Sequence, residues 1–413
     1  MTPEASRTAR NVLGLLLCVN LFNYLDRQVL YSLLAPIQSE LRLSDTQAGS
    51  LASAFMLVYM FAAPPIAYLA DRGGRVFWIT IGIALWSLAT AFSGLASSYA
   101  ALFAARATVG IGESCYGAIS PSFVAEHFPA SRRAFALALF SMAIPVGSAL
   151  GYVAGGAIGE FWGWRRAFFC VGLPGLALAA LASRLKEPAP ETLGPRAPEV
   201  SRKSAVSAYR DLFDIPSFTL VTLAGAAMTF ALGGFAVWMP SFFHREWGMS
   251  VGEAGTLFGG ITVASGVLGS LAGGWLSDWA LRLTSKSHFL VSGLGLILGM
   301  PVAVCAVLAR DLRWAIISLF VAEFFLFLNM GPLNAVIVAV TELKSRSMAF
   351  AANIFVIHAL GDAVSPTAIG AASDHFGLKT ALIGSSLALG LAGGFCFWGM
   401  RHYDADARRI LRA

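Results

Sequence analysis

The chain has 413 residues, of which 57% are hydrophobic and only 13% are charged. A soluble protein carries about a quarter charged residues, and the mean hydropathy of this chain is high, at +0.70. A net charge of +6 could indicate a nucleic-acid partner, but the basic residues are concentrated in alternate loops and in both terminal segments. That distribution orients membrane proteins, so no nucleic-acid partner is predicted.

Apolar runs of about twenty residues recur along the whole chain and predict an all-α polytopic membrane protein. Strands of a β-barrel would instead alternate apolar and polar residues. Twelve spans are predicted, with centres near residues 23, 58, 86, 110, 145, 173, 228, 265, 297, 327, 358 and 388. The first run is too long for a signal peptide, and we expect it to remain as a span. The positive-inside rule places both termini in the cytoplasm.

The longest polar stretch falls between the sixth and seventh spans and is rich in proline. It separates two sets of six spans. The predicted organisation is an N-terminal six-helix bundle over 1–183, a cytoplasmic linker over 184–216, a C-terminal six-helix bundle over 217–400 and a cytoplasmic tail over 401–413.

Short motifs recur in the same order in the two halves, which indicates a structural repeat. Asp71, after the second span, has a counterpart in Asp278 after the eighth, and Pro121 has one in Pro332. Repeated halves are typical of secondary transporters, in which the substrate site lies between the repeats.

The first span contains Asn23-Tyr24-Leu25-Asp26-Arg27, an acid and a base at membrane depth. Each charge costs about 2.5–3.5 kcal/mol on insertion scales, so such residues normally face a polar cavity or a partner. A pair that snorkels to the interface is the alternative. It is disfavoured because Asp26 lies well inside the span. Asp26 and Arg27 are therefore candidate functional residues.

The fourth span contains Arg106 and Glu113, which are two helical turns apart and share one face. A buried carboxyl near Asp26 and Arg27 would bind protons with an affinity that depends on its neighbours. We therefore predict that Asp26, Arg27 and Glu113 couple transport to protons. A purely structural role for Glu113 is the alternative.

Polar residues also interrupt the tenth and eleventh spans of the C-terminal half. His358 and Asp362 are one turn apart and could form a pair that responds to pH near neutrality. Glu323 lies in the tenth span and receives no assigned role. The predicted substrate-binding set is Arg106, Tyr24, Asn329, Asn334, Asn353, His358 and Asp362.

The loop after the second span, Ala67-Tyr68-Leu69-Ala70-Asp71-Arg72-Gly73-Gly74-Arg75, resembles the G-x-x-x-D-R-x-G-R-R loop of the major facilitator superfamily. Arg106-x-x-x-Gly110-x-Gly112 resembles a second motif of that superfamily. A carboxylate at a helix end can pair with an arginine or cap a neighbouring helix. The resemblance implies a conformational latch formed by Asp71, Arg72, Arg75 and Asp278.

Four further motifs resemble the spinster branch of this superfamily: Asn23 to Arg27, Gly110-Ile111-Gly112-Glu113, Phe327-Leu328-Asn329 and Ile357 to Pro366. Animal members of the branch export sphingosine phosphate or lysophospholipids. The resemblance implies two six-helix bundles, and it places Asp26, Arg27, Glu113 and His358 at positions that the branch uses for coupling or transport. The short loops suggest a bacterial version in the inner membrane.

The sequence therefore predicts a secondary active transporter, proton-coupled, that moves an amphipathic lipid-like or organic-anion solute by alternating access. The expected partners are this substrate, protons and membrane lipids, and the protein is expected to be a monomer without a cofactor. Two alternatives remain: a carrier of a small hydrophilic organic anion, and a non-transporting membrane sensor. No catalytic or metal-ligand spacing appears, so an enzyme is not predicted.

Overall fold

The computed structural model describes residues 3–187, 205–342 and 345–412. These residues form helices and no strands, which confirms the all-α prediction. The helices of the first half are α1 (Pro3–Ser32), α2 (Leu34–Leu41), α3 (Asp45–Asp71), α4 (Arg75–Ser93), α5 (Tyr99–Gly117), α6 (Ser120–Glu126), α7 (Ala130–Ser141), α8 (Ala143–Trp162) and α9 (Trp164–Ala182).

The helices of the second half begin inside the predicted linker. They are α10 (Ala205–Phe213), α11 (Pro216–Trp247), α12 (Val251–Ala280), α13 (Ser287–Leu308), α14 (Leu312–Phe327), α15 (Met330–Val340), α16 (Arg346–Ile357), a π-helical turn (His358–Asp362), α17 (Ser365–Phe376) and α18 (Leu378–Arg412). The predicted tail is thus helical through Arg412. Most of the linker, residues 188–204, lies outside the described part.

Ten helical segments of the described chain, three of which join two consecutive helices, are long and apolar enough to cross a membrane. Helices α1 and α5 are the predicted spans missing from these ten. Helix α1 carries Asp26 and Arg27, and α5 carries Arg106 and Glu113. Charged residues lower the mean hydropathy of a span. The two helices that hold the predicted coupling residues therefore have a lower mean hydropathy than the other predicted spans.

The chain forms two compact units by contact. The first comprises Met1–Glu199 together with Phe243–Gly259, and the second comprises Val200–Phe242 and Gly260–Ala413. The main boundary, after residue 199, falls within the predicted linker. The end of α11 and the start of α12 belong by contact to the first unit, whereas the prediction assigned them to the C-terminal bundle.

In the first unit, α1 packs along α8 through small residues at four-residue spacing. A β-carbon built at Gly147 would lie 2.5 Å from the Leu21 carbonyl oxygen, and one at Gly151 would lie 2.5 Å from that of Leu25. Small residues let the two backbones approach closely. This packing fixes the depth and rotation of the part of α1 that carries Asp26 and Arg27.

In the second unit, α13 packs against both α14 and α18, and α17 packs against α18. The π-helical turn lies between α16 and α17, and Gly361 within it has a non-helical backbone conformation (φ −98°, ψ −108°). Single π-helical turns occur frequently at functional sites. Helix α11 approaches this turn closely, since a β-carbon built at Gly233 would lie 2.6 Å from the Asp362 β-carbon.

Candidate functional site

Four charged side chains of the first unit, Asp26, Arg27, Arg106 and Glu113, form what we call the charge cluster. Arg27 Nε donates to Glu113 Oε2 at 2.7 Å, and Arg106 Nη1 lies 3.4 Å from Asp26 Oδ1. The side chains of Asp26, Arg106 and Glu113 are at most 2% exposed, and that of Arg27 is 15% exposed. Two acids and two bases balance one another, as buried charges require.

The pairing within the cluster crosses between α1 and α5. Each helix supplies one acid and one base, and each acid takes its nearest cation from the other helix. In the structure Arg27 bonds to Glu113, while Asp26 is paired with Arg106 and also accepts from the Thr90 hydroxyl on α4.

Aromatic rings surround the two guanidinium groups. The Arg27 guanidinium lies 4.8 Å from the ring centres of both Tyr24 and Phe55, and 5.4 Å from that of Tyr59. The Arg106 guanidinium lies 5.7 Å from the Phe55 ring centre. Ring faces attract cations, so these contacts stabilise the two guanidinium groups. Tyr24 thus contacts Arg27, and its predicted role in substrate binding stays a prediction.

Two polar atoms of the cluster are buried without a hydrogen-bond partner among the described residues, namely Glu113 Oε1 and Arg106 Nε. An unpaired buried polar group costs about 1–3 kcal/mol, so each one needs an explanation. The free carboxylate oxygen of Glu113 is an acceptor that a proton can occupy. The free Nε–H of Arg106 is a donor that is available to an anion or to water.

The predicted substrate residues of the second unit are dispersed over three elements. Asn329, fully buried, donates to the Phe325 carbonyl at 2.6 Å and to the Leu326 carbonyl at 3.3 Å, and its Oδ1 is buried without a partner. Asn334 donates to the Met330 carbonyl of its own helix at 2.9 Å. Asn353 is also buried, at 7% exposure.

His358 and Asp362 form the pair that their spacing predicts. His358 Nδ1 lies 2.8 Å and 3.0 Å from the two Asp362 carboxylate oxygens. The pair spans the π-helical turn and is partly exposed. One nitrogen facing both oxygens fixes the ring orientation, and Nε2 is not used in this contact.

Three of the four predicted latch residues, Asp71, Arg72 and Arg75, lie at or beside the loop between α3 and α4. Arg75 Nη1 binds Glu126 at 2.8 Å, and Arg75 Nε lies 3.4 Å from Glu187. The Arg72 guanidinium lies 4.0 Å from the centre of the Tyr68 ring. Asp71 ends α3, and its side chain lies outside what the structure describes. Asp278 is exposed on α12.

Sequence reasoning did not single out Thr90, Phe55, Tyr59, Glu126 or Glu187. A threonine or an aromatic residue in an apolar span carries no signal of its own, because most such residues are simply packed. The positions of Glu126 and Glu187 in the sequence could have indicated that they pair with Arg75. Both follow spans that end on the predicted cytoplasmic side, where Arg75 also lies.

Comparisons with known proteins agree with the geometry. Residues 16–357 match the Major Facilitator Superfamily. The protein spinster homolog 1 of Xenopus tropicalis is 33% identical over 91% of this chain and 75% of its own length. The sphingosine-1-phosphate transporter SPNS2 of Danio rerio is 32% identical over 94% of this chain and 81% of its own length.

Solved structures give the same assignment. A bacterial homolog of the human lysosomal transporter Spinster superposes with a TM-score of 0.87 and 25% identity, over 98% of this chain and 99% of that one. A D-xylose–proton symporter shares the fold, with a TM-score of 0.73 and 17% identity over 94% of this chain and 96% of its own. These matches are to transporters and not to enzymes. The chain is therefore a multi-pass membrane protein that belongs to the major facilitator superfamily, in its spinster-like branch.

Proposed function

We propose that this protein is a proton-coupled secondary transporter, monomeric and located in the inner membrane with both termini in the cytoplasm. Its solute is amphipathic, either lipid-like or an organic anion, and it moves by alternating access. The observation that carries the proposal is the charge cluster, in which two buried carboxyls each contact a guanidinium from the neighbouring helix. Ionisable residues inside a membrane mark ion pathways and proton relays.

Proton coupling follows from the balance of charge in the cluster. With both acids ionised, Asp26 and Glu113 neutralise Arg27 and Arg106. A proton that binds to the free Oε1 of Glu113 removes one negative charge and weakens its bond to Arg27. The cluster then carries an excess positive charge, which favours a change of conformation or the approach of an anion. The proton is thereby linked to the state of the carrier.

Asp26 is held by more partners than Glu113. It accepts from Thr90 and faces Arg106, and both of its carboxylate oxygens are engaged. Glu113 has one engaged oxygen and one free oxygen. Glu113 is therefore the group we assign to proton exchange, while Asp26 keeps Arg106 buried and oriented.

An amphipathic solute is supported by the relatives and by the residue types of the second unit. One relative carries the name of a sphingosine-1-phosphate transporter. The polar residues available to a head group are Asn329, Asn334, Asn353 and the His358–Asp362 pair. Asn329 Oδ1 is a buried acceptor without a hydrogen-bond partner in the described chain. His358 contacts Asp362 through Nδ1, so Nε2 is the nitrogen that could face a head group.

The test is flux in reconstituted vesicles driven by a pH gradient. Glu113→Gln keeps the side-chain size but cannot exchange a proton at pH 7, and Asp26→Asn leaves Arg106 without its carboxylate, so pH-driven uptake should fall by at least tenfold in each. Counterflow, which needs no proton gradient, should persist in Glu113→Gln. Glu253→Gln, at an exposed glutamate of α12, is the matched control. Full pH-driven flux in both cluster variants would refute the coupling assignment.

A carrier of a small hydrophilic anion is the second candidate, because Arg27 and Arg106 would attract one. Competition separates the two. Lysolipids should inhibit flux of the transported solute, whereas small carboxylates at the same concentration should not. The reverse result would favour the hydrophilic anion. A sensor would show no counterflow with any ligand that binds.

A further inference from the structure

Glu323, on α14, is a second fully buried carboxyl, and the charge cluster does not include it. Its residue is 1% exposed. Its only hydrogen-bonding contacts in the described chain are two hydroxyls of α12: Thr262 Oγ1 lies 3.3 Å from Oε1 and Ser265 Oγ lies 3.1 Å from Oε2. All three residues lie in the second unit.

The three side chains meet because α12 and α14 pack closely. Thr262, Ser265 and Gly269 fall at positions i, i+3 and i+7 and so share one face of α12. A β-carbon built at Gly269 would lie 2.5 Å from the Phe324 carbonyl oxygen. The absence of a side chain at Gly269 lets α14 approach, and this brings the carboxyl of Glu323 to the two hydroxyls.

Among the residues that the structure describes, no cation compensates this carboxyl. None of the ion pairs of the described residues includes Glu323. Charged groups on the packed helices lie at their ends: Glu253 and Asp278 on α12, His288 on α13 and Arg313 on α14. An ionised carboxylate buried without a cation costs several kcal/mol, and such a group becomes neutral instead.

The hydroxyl geometry matches the protonated acid. Ser265 Oγ lies 3.1 Å from Glu323 Oε2 and 3.3 Å from the Thr262 carbonyl oxygen, and its single hydrogen can serve only one of them. If the carboxyl O–H donates to Ser265 Oγ, the Ser265 hydroxyl is free to donate to the Thr262 carbonyl. The Thr262 hydroxyl donates to Oε1. Every hydrogen then has an acceptor.

We propose that Glu323, Ser265 and Thr262 form a proton-binding site in the second unit, separate from the charge cluster of the first. The site holds one proton as a carboxylic acid whose hydroxyl donates to Ser265. It goes beyond the proposed coupling at Asp26 and Glu113 and does not depend on it. Together with the proposed proton exchange at Glu113, this site gives the protein an exchangeable proton in each of its two units.

The test is the infrared spectrum of the purified protein, in which a protonated carboxyl gives a carbonyl band distinct from that of a carboxylate. An Asp26→Asn, Glu113→Gln background removes the other buried acids that could contribute. This background should keep the band at pH 7, and adding Glu323→Gln should abolish it. Adding Glu253→Gln instead should leave it unchanged. The proposal would be wrong if the band persisted after Glu323→Gln was added. It would also be wrong if the background without that substitution showed no band.

Two further measurements use the otherwise unaltered protein. Ser265→Ala should shift the band without removing it, because the acid loses its acceptor but stays neutral. On a rapid rise in external pH, Glu323→Gln should release one proton fewer per molecule than the parent protein, as reported by a pH indicator. Equal release would refute exchange at this site. A band that disappears when Na⁺ is added at constant pH would show that a cation occupies it, against the proposal.

Discussion

Arg106 is the side chain on which the burial of Asp26 most directly depends. Its guanidinium is 1% exposed and lies beside Asp26 and the Phe55 ring. Its Nε–H has no partner in the described chain. Arginine is suited to this position because its planar guanidinium presents several N–H donors to a carboxylate. Removing it leaves the Asp26 carboxylate with the Thr90 hydroxyl and without a directly paired cation.

We therefore expect Arg106→Gln to destabilise the protein by about 3–5 kcal/mol, the range for breaking a buried ion pair from one side. The measurement is the midpoint of thermal unfolding in detergent. Combining it with Asp26→Asn removes the uncompensated charge, so the double variant should recover part of the loss. Arg313→Gln, at an exposed arginine of α14, should change nothing. A double variant no more stable than Arg106→Gln would contradict this account.

The charged members of the cluster could be identified from sequence, but their pairing could not. Asp26, Arg27, Arg106 and Glu113 stand out because each interrupts an apolar run. Which acid faces which base depends on the rotation and depth of α1 and α5. The packing of α1 on Gly147 and Gly151 sets the rotation and depth of α1, and no single-sequence pattern reports them. Thr90 could not be found because hydroxyls in apolar spans usually bond to their own helix.

At the scale of elements, the contact between α1 and α8 positions half of the charge cluster. A β-carbon at Gly151 would lie 2.5 Å from the Leu25 carbonyl oxygen and 2.7 Å from the Gln28 β-carbon, which are both backbone-proximal atoms. Helices α1 and α8 must therefore move apart if Gly151 is replaced by a residue with a side chain. Leu25 immediately precedes Asp26, so the separation moves the acid away from Arg106.

Gly151→Ala should lower stability by about 1–3 kcal/mol and reduce pH-driven flux in reconstituted vesicles. Gly14→Ala is the control within α1, because a β-carbon there meets nothing within 4 Å. It should be neutral or stabilise by about 0.5–1 kcal/mol, the difference in helix propensity. If Gly151→Ala matched this control in both assays, close packing at Gly151 would not position the cluster.

A second contact between elements joins the start of α9 to α2 and to the loop after α4. Arg165 binds Glu40 at 2.7 Å and donates to the carbonyls of Gly94 and Ala96, at 3.2 Å and 2.5 Å. Trp164 Nε1 also donates to Glu40, at 2.6 Å. The bonds from Arg165 and Trp164 to Glu40 favour its carboxylate form and hold the pKa of Glu40 below its usual value.

Arg165→Ala should lower the unfolding midpoint by an amount equivalent to about 1–3 kcal/mol, because two backbone carbonyls and a carboxylate lose a charged donor. The neighbouring exposed residue supplies the control, and Arg166→Ala should have no effect. Equal losses in the two variants would point to a general charge effect rather than to these bonds.

The contribution of Glu40 should depend on pH. Because the pKa of its folded form is depressed, its contribution to stability is present above the unfolded pKa of about 4.3 and is lost as the pH falls through the folded value. The group is half exposed, so the contribution is about 1 kcal/mol or less. Glu40→Gln should thus be less stable than the parent protein at pH 7 and equal to it in acid. Unfolding curves at several pH values test this.

At the scale of the whole molecule, basic residues in alternate loops and in both terminal segments predict that α18 ends in the cytoplasm. Helix α18 continues to Arg412 with charged residues in its last turns. A fluorescent reporter fused after Ala413 should therefore fluoresce in cells and resist protease added outside. An alkaline phosphatase fused at the same point should be inactive. The opposite pair of results would invert the topology.

The all-α fold could be predicted because a lipid environment permits few other structures. The boundary of the units was less predictable. Residues 243–259 continue α11 and begin α12, yet they belong by contact to the first unit. Arg245 there binds Asp45 at 2.6 Å, and Ser250 donates to Glu160 at 2.7 Å. Hydropathy reports where a helix is buried but not which partner it meets.

The cross-pairing of α1 and α5 has a consequence for synthesis. Arg27 and Glu113 are separated by 86 residues. At about 5–20 residues per second, Arg27 emerges roughly 4–17 s before its acid. During that interval α1 carries an acid and a base without their cross-helix partners, and α1 is one of the two predicted spans that are not among the ten apolar ones. The nascent chain should therefore remain at the insertion machinery until α5 is made, and a pause between the two helices should raise early degradation.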